Sequence, residues 1–231
     1  MTALAQNPPP ARGLRAAFTL VEIMSVMAVI AVLLSVAAVG IQRIDRGQAT
    51  TSGQAISQAL FDQARTAAIG RGTRARLLIH NNFDDNDRLD RERYRRYLVV
   101  AILETNDDGT PTNRWSVISR GTTLPSGVYF SPEETQTAMS SLDGAGDFGT
   151  MRIALPGKKN QQKECYYYEF NAEGVCVDGE KSDADTGGSF VLIGGIRPRN
   201  QRDPIMQGNN KVGFRIFRNG SVAPYKSPDQ M

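Results

Sequence analysis

One histidine and two cysteines stand in a chain of 231 residues, and that scarcity excludes several kinds of chemistry. A serine or cysteine nucleophile needs a base, and His80 is the only imidazole to serve as one. It closes a stretch that reads as a strand, beside Asn81 and Asn82, and is read as a polar residue at a strand end. One histidine with Cys165 and Cys176 does not complete a four-ligand zinc site without carboxylates at unmarked spacing. No phosphate-binding glycine loop is found: Gly187-Gly188 and Gly194-Gly195 flank an apolar run and read as turns or bulges. The expectation is no enzyme, no cofactor and no metal.

Excess charge is missing as well. The formal net charge is +3, and Arg12 and Arg15 carry most of it, which leaves the chain from Phe18 onward close to neutral. Bulk charge of that size does not point to nucleic acid or an anionic surface. The run Arg91-Glu92-Arg93-Tyr94-Arg95-Arg96-Tyr97 is basic, but Asp84, Asp85, Asp87, Asp90 and Glu92 precede or interrupt it. A salt-bridged surface strand is expected there, and nucleic acid is not expected as a partner. The acidic segments 84–87, 106–109 and 178–185 hold oxygen ligands of the kind calcium takes, yet none fits the twelve-residue calcium loop. They read as solvated turns.

From residue 23 to residue 41 no ionisable side chain appears. About 20 apolar residues of helix cross a bilayer core, so residues 18–41 are expected to form a membrane span. Glu22 then sits near its start, where an unpaired carboxylate at full depth costs roughly 2.5–3.5 kcal/mol or more. Such a charge is expected to have a partner. Arg12 and Arg15 lie before the run and Arg43 just after it, which favours a cytoplasmic N-terminus. A secretory signal cut at Ser35-Val36-Ala37 is a second reading, although the run exceeds the roughly 7–15 residues of a signal core. A plain single-pass anchor is a third, and it has no use for Glu22.

No proline falls between residues 18 and 72, so a helix from 18 to 69 has nothing to break it and would be about 78 Å long. Beyond the apolar run, Ile56, Ala59, Leu60, Ala64, Ala67 and Ala68 recur at offsets of three and four, one stripe of an amphipathic helix over 42–72. Gly70 and Gly72 end it, with Arg65 and Arg71 near the negative helix end. Gly40, Gly47 and Gly53 each disfavour helix by about 0.8–1.0 kcal/mol relative to Ala. They mark either plain tolerance or a segment that can melt or bend.

After Gly72 the pattern turns to short β-type runs at 76–80, 94–104, 115–120, 127–130, 151–155, 165–170, 175–177, 189–196 and 212–218. Val212, Phe214 and Ile216 alternate with more polar neighbours and form one apolar face. Asn219-Gly220 then predicts a type I′ hairpin into 221–225. Strands that follow a helix without alternating with helices predict an antiparallel sheet and an α+β class: a long N-terminal helix packed on a C-terminal β-domain at 73–231. A second hairpin turn at 171–174 would set Phe170 opposite Val175 and Glu169 opposite Cys176. Cys165 would then lie about 13 Å along its strand from Cys176, beyond the roughly 7 Å a disulfide allows. Two buried thiols, or a bridge over a wider loop, remain the alternatives.

The segment Ala17-Phe18-Thr19-Leu20-Val21-Glu22 with the apolar run behind it resembles the prepilin-type N-terminus of type IV pilins and type II secretion pseudopilins. Phe18, Thr19, Leu20 and Glu22 match that motif, while Ala17 stands where the family usually has Gly. The resemblance implies removal of a leader (1–17) by a prepilin peptidase that cuts between Ala17 and Phe18, followed by N-methylation of Phe18. It also implies that Glu22 meets the amine of a neighbouring subunit during assembly. The stretches 64–79 and 170–174 are similar to the helix-to-strand junction and a late turn of minor pseudopilins. The function so implied is that of a structural filament subunit, a minor pseudopilin or minor type IV pilin. Its partners would be other subunits and an inner-membrane assembly platform. It would cross the bacterial inner membrane once and expose its C-terminal domain outside. The alternatives are a pilus-associated module that binds DNA or a surface, and an anchored exported domain with no filament.

Overall fold

The computed structural model describes residues 19–140, 142, 148–157, 161–177, 187–198 and 201–225, the side chains of 36–46 and of Gly208 excepted. The chain divides into two compact units, Met1–Arg43 and Ile44–Met231, and the boundary falls inside helix α1 (Leu20–Arg71). At its start, the Thr19 hydroxyl accepts a hydrogen bond from the Glu22 backbone N–H at 3.2 Å. At its end, Gly72 takes φ +60°. Thr73 N–H then donates to Ala68 O and Gly72 N–H to Ile69 O, the paired bonds of a Schellman cap.

Beyond α1 come β1 (Ala75–His80), α2 (Arg88–Arg93), β2 (Tyr97–Thr105), β3 (Pro111–Val117), β4 (Thr122–Thr123), β5 (Val128–Phe130) and α3 (Pro132–Ser140). They are followed by β6 (Gly149–Ala154), β7 (Gln162–Phe170), β8 (Cys176–Val177), β9 (Gly188–Ile196), β10 (Ile205–Ile216) and β11 (Val222–Pro224). All the strand pairs are antiparallel. One sheet runs β3-β2-β1-β7-β6, with β4 on β2 and β8 on β7; the other runs β11-β10-β9-β5.

The part of α1 inside the second unit joins the two sheets. Leu60, Phe61, Ala64 and Ala68 are buried on one stripe. The Phe61 ring meets Tyr168 and Phe170 of β7 edge-on at 5.1 and 6.2 Å, and Phe190 of β9 and Phe214 of β10 at 5.3 and 5.1 Å. Val212, Phe214 and Ile216 all belong to this core. Gly53 lets the helix approach closely, because a Cβ there would stand 2.9 Å from Val128 Cγ1. Its role is packing, which neither of the readings made from sequence anticipated. A Cβ added at Gly47 would meet nothing within 4 Å outside its own turn of helix.

The central strands of the first sheet are buried on both faces. Leu77, Ile79, Leu98 and Val100 point to the α1 side, while Leu78, Val99, Ala101 and Cys165 form a second apolar cluster on the other. Arg76 lies across that outer face between the Trp115 and Tyr167 rings, 3.9 and 3.8 Å from their centroids. Its guanidinium is paired with the buried Glu169 carboxylate at 2.6 Å.

The expected fold class is corrected. An α+β pilin-like arrangement of one long helix on one antiparallel sheet does not describe this chain: strands dominate it and make two antiparallel sheets. Within the second unit α1 packs on both sheets through Leu60, Phe61, Ala64 and Ala68, and residues 20–35 are exposed throughout. The expected span at 18–41 is corrected too. Among the described residues no helix is long and apolar enough to cross a membrane. The single-pass inner-membrane placement loses its basis with it.

Local expectations shift as well. Ala59 is exposed and Phe61 takes the centre of the stripe. The hairpin loop after Phe170 is one residue longer than expected, since Phe170 pairs with Cys176 and Glu169 with Val177. At Asn219-Gly220 only the glycine has positive φ. A type I′ turn needs it at both central residues. Gly220 N–H donates to Phe217 O and Phe217 N–H to Ser221 O, a wider turn closed by the left-handed glycine. Gly194 and Gly195 lie inside β9 instead of flanking it, opposite the register shift in β10 between Met206 and Lys211.

Candidate assembly surface

Each residue from Leu20 to Ser35 is exposed, and its apolar members face every side of the helix. Leu20 is 75% exposed, Val21 74% and Leu34 64%. Glu22 is the only ionisable group in this stretch and occupies the first helical turn. Thr19 and Glu22 stand in the spacing of a capping box, with the threonine half made. Sequence reading assigned Glu22 to assembly and did not see this local role, although the Thr-x-x-Glu spacing was there to find. The first-turn position also suits a carboxylate, because the exposed N–H groups carry partial positive charge. Ala17 and Phe18, the expected cleavage and methylation positions, lie outside the described residues, as do the leader 1–17 and the acidic segment 178–185.

Elsewhere the chemistry-bearing residues are turned inward. Arg93 donates to Pro156 O at 2.7 Å and lies over the Tyr97 ring. Arg95 is buried, with φ +53°, and meets Glu133 at 3.2 Å and Asp203 at 3.1 Å. Arg96 donates to Leu124 O at 2.8 Å. The basic run is therefore mostly internal structure, and it begins as the helix α2 instead of the surface strand that was expected.

His80 is buried at the end of β1 against α2. Asp90, also buried, sits between its Nε2 at 3.3 Å and Lys163 Nζ at 2.6 Å. Burial lowers the His80 pKa to about 4, helped by Arg93 and Lys163 and opposed by Asp90. Sequence reading placed His80 at a strand end but missed this cluster, whose members come from β1, α2 and β7. Cys165 lies opposite His80 in the ladder, yet burial pushes its thiol up to about 12. A thiol that keeps its proton is a poor nucleophile. Cys165 and Cys176 are both buried thiols, the first of the two alternatives read from the sequence.

Asp108 accepts from Thr110 twice, which holds its carboxyl below the usual range. Among the described residues no group of three acidic, histidine or cysteine side chains is placed to hold a metal ion. Comparison with family models, curated proteins and solved structures gives no match.

Proposed function

We propose that this chain is a structural subunit of a filament of the pilus or pseudopilus type, and that residues 20–35 of α1 are its assembly surface. The observation that carries the reading is an exposed helix, apolar on every side, with one carboxylate in its first turn. A helix apolar all round is buried in its working state, and an exposed apolar surface of this extent marks an interaction site. Helices of the same kind from other subunits are the partners that fit, since each brings the same requirement. The motif Phe18-Thr19-Leu20-Val21-Glu22 supports the same reading, with a leader peptidase acting between Ala17 and Phe18.

Cysteine cross-linking tests it. The two native thiols are buried, so a single cysteine placed at Met27 or Leu34 supplies the reactive group. Subunits joined through these positions in the native host are the expected result. A chain that stays unlinked at both positions under conditions that link a known filament subunit would refute the assignment.

A further inference from the structure

We propose that Lys163 and Asp90 condense into an intramolecular amide that staples α2 to β7, assisted by Asn82 and His80. Lys163 Nζ stands 2.6 Å from Asp90 Oδ2, with the two side chains 8% and 2% exposed. The residues are 73 positions apart, so the bond would close a long covalent loop. Burial gives the pair a reason to react. Two charges removed from water recover little net free energy by pairing, whereas an amide leaves no charge behind. The amine is already held against the carboxyl, which removes most of the entropic barrier to a bimolecular step.

The neighbours divide the work between the two carboxyl oxygens. Asn82 Nδ2 donates to Oδ2 at 3.0 Å, and Oδ2 is the oxygen that stays. A donor fixed there stabilises the negative charge that gathers as nitrogen adds to Cγ. His80 Nε2 lies 3.3 Å from Oδ1, the oxygen that leaves. Among the described residues Nδ1 of His80 has no hydrogen-bond partner and Nε2 faces only the Asp90 carboxylate, so the imidazole is available to pass protons. In the step, the Nζ–Cγ bond forms and the Cγ–Oδ1 bond breaks. Two of the three ammonium protons depart with Oδ1 as water, and the third stays on the amide nitrogen. Nothing is oxidised or reduced, and no co-reactant is needed.

Peptide mapping of the folded full chain by mass spectrometry tests this. The expected result is that the peptides bearing Asp90 and Lys163 are recovered joined, one water lighter than their sum. Dehydration at Asp108-Gly109 would also remove a water, but it joins no two peptides. Recovery of both peptides separate and unmodified from folded protein would overturn the proposal. Lys163→Arg keeps a cation beside Asp90 and should abolish the joined species; its persistence would overturn the assignment of the nitrogen. In chain recovered unfolded and then refolded, His80→Gln should slow the appearance of the link about a hundredfold. An unchanged rate would remove His80 from the step.

Discussion

Phe61 meets Phe214 edge-on at 5.1 Å, and through that contact a helix residue is tied to the second sheet while the same ring touches Tyr168 and Phe170 of the first. One side chain thus ties α1 to both sheets. Edge-on aromatic pairs add about 0.5–1.5 kcal/mol each beyond area burial.

Phe61→Ala should destabilise the second unit by about 3–5 kcal/mol, the range for a fully buried aromatic. Leu60→Asp should also lower stability, because it places an unpaired carboxylate in the same seam. Both are read from urea midpoints followed by near-ultraviolet circular dichroism. A midpoint unmoved by either change would mean that the stripe is not packed on the sheets.

Gly47 and Gly53 of α1 should answer oppositely to Ala. At Gly47 nothing lies within 4 Å of a new Cβ, so Gly47→Ala should stabilise by up to about 0.8–1.0 kcal/mol through helix propensity. At Gly53 the Cβ would press on Val128 at 2.9 Å, and the strain of overpacking, about 1–3 kcal/mol, should outweigh that gain. Thermal midpoints of the two variants should move in opposite directions.

Stability should depend on pH through His80. The folded-state pKa is lowered to about 4 from 6.5, so between those values the unfolded chain binds more protons than the folded one. The contribution of His80 is complete above pH 6.5 and is lost as pH falls towards 4. Carboxylates titrate in the lower part of that window, so the informative quantity is the difference from His80→Gln. The variant should lose part of the slope between pH 6.5 and 4, and equal slopes would place the dependence elsewhere.

Periodicity made some of this legible and hid the rest. Leu60, Ala64 and Ala68 could be read from spacing, because a helix stripe is local. Phe61 was passed over, since a residue beside the stripe is centred only when sheets approach from two sides. The His80, Asp90 and Lys163 cluster left no mark in the sequence, as its members meet only when β1, α2 and β7 converge. Arg93, Arg95 and Arg96 looked like surface charge because their acceptors, Pro156, Glu133, Asp203 and Leu124, are far along the chain. At Asn219-Gly220 the dipeptide announced a turn but not its type, which the pairing of Ile216 with Val222 decides.

Glu22 offers the sharpest test of the assembly reading, because one substitution separates its capping role from the proposed intersubunit one. As the third helical residue after Thr19 it suits a capping box, which glutamine fills nearly as well as glutamate. As a partner for the Phe18 amine of a neighbouring subunit it must carry charge, and leaving one member of a buried ion pair alone costs roughly 3–5 kcal/mol. Glu22→Ala should impair both roles. Glu22→Gln should keep the helix start intact, seen as unchanged helicity, and still enter filaments poorly, seen as loss of cross-links between cysteines placed in neighbouring helices. If Glu22→Gln cross-links as fully as the unaltered chain while Glu22→Ala does not, the carboxylate acts by capping its own helix, and the intersubunit ion pair is wrong.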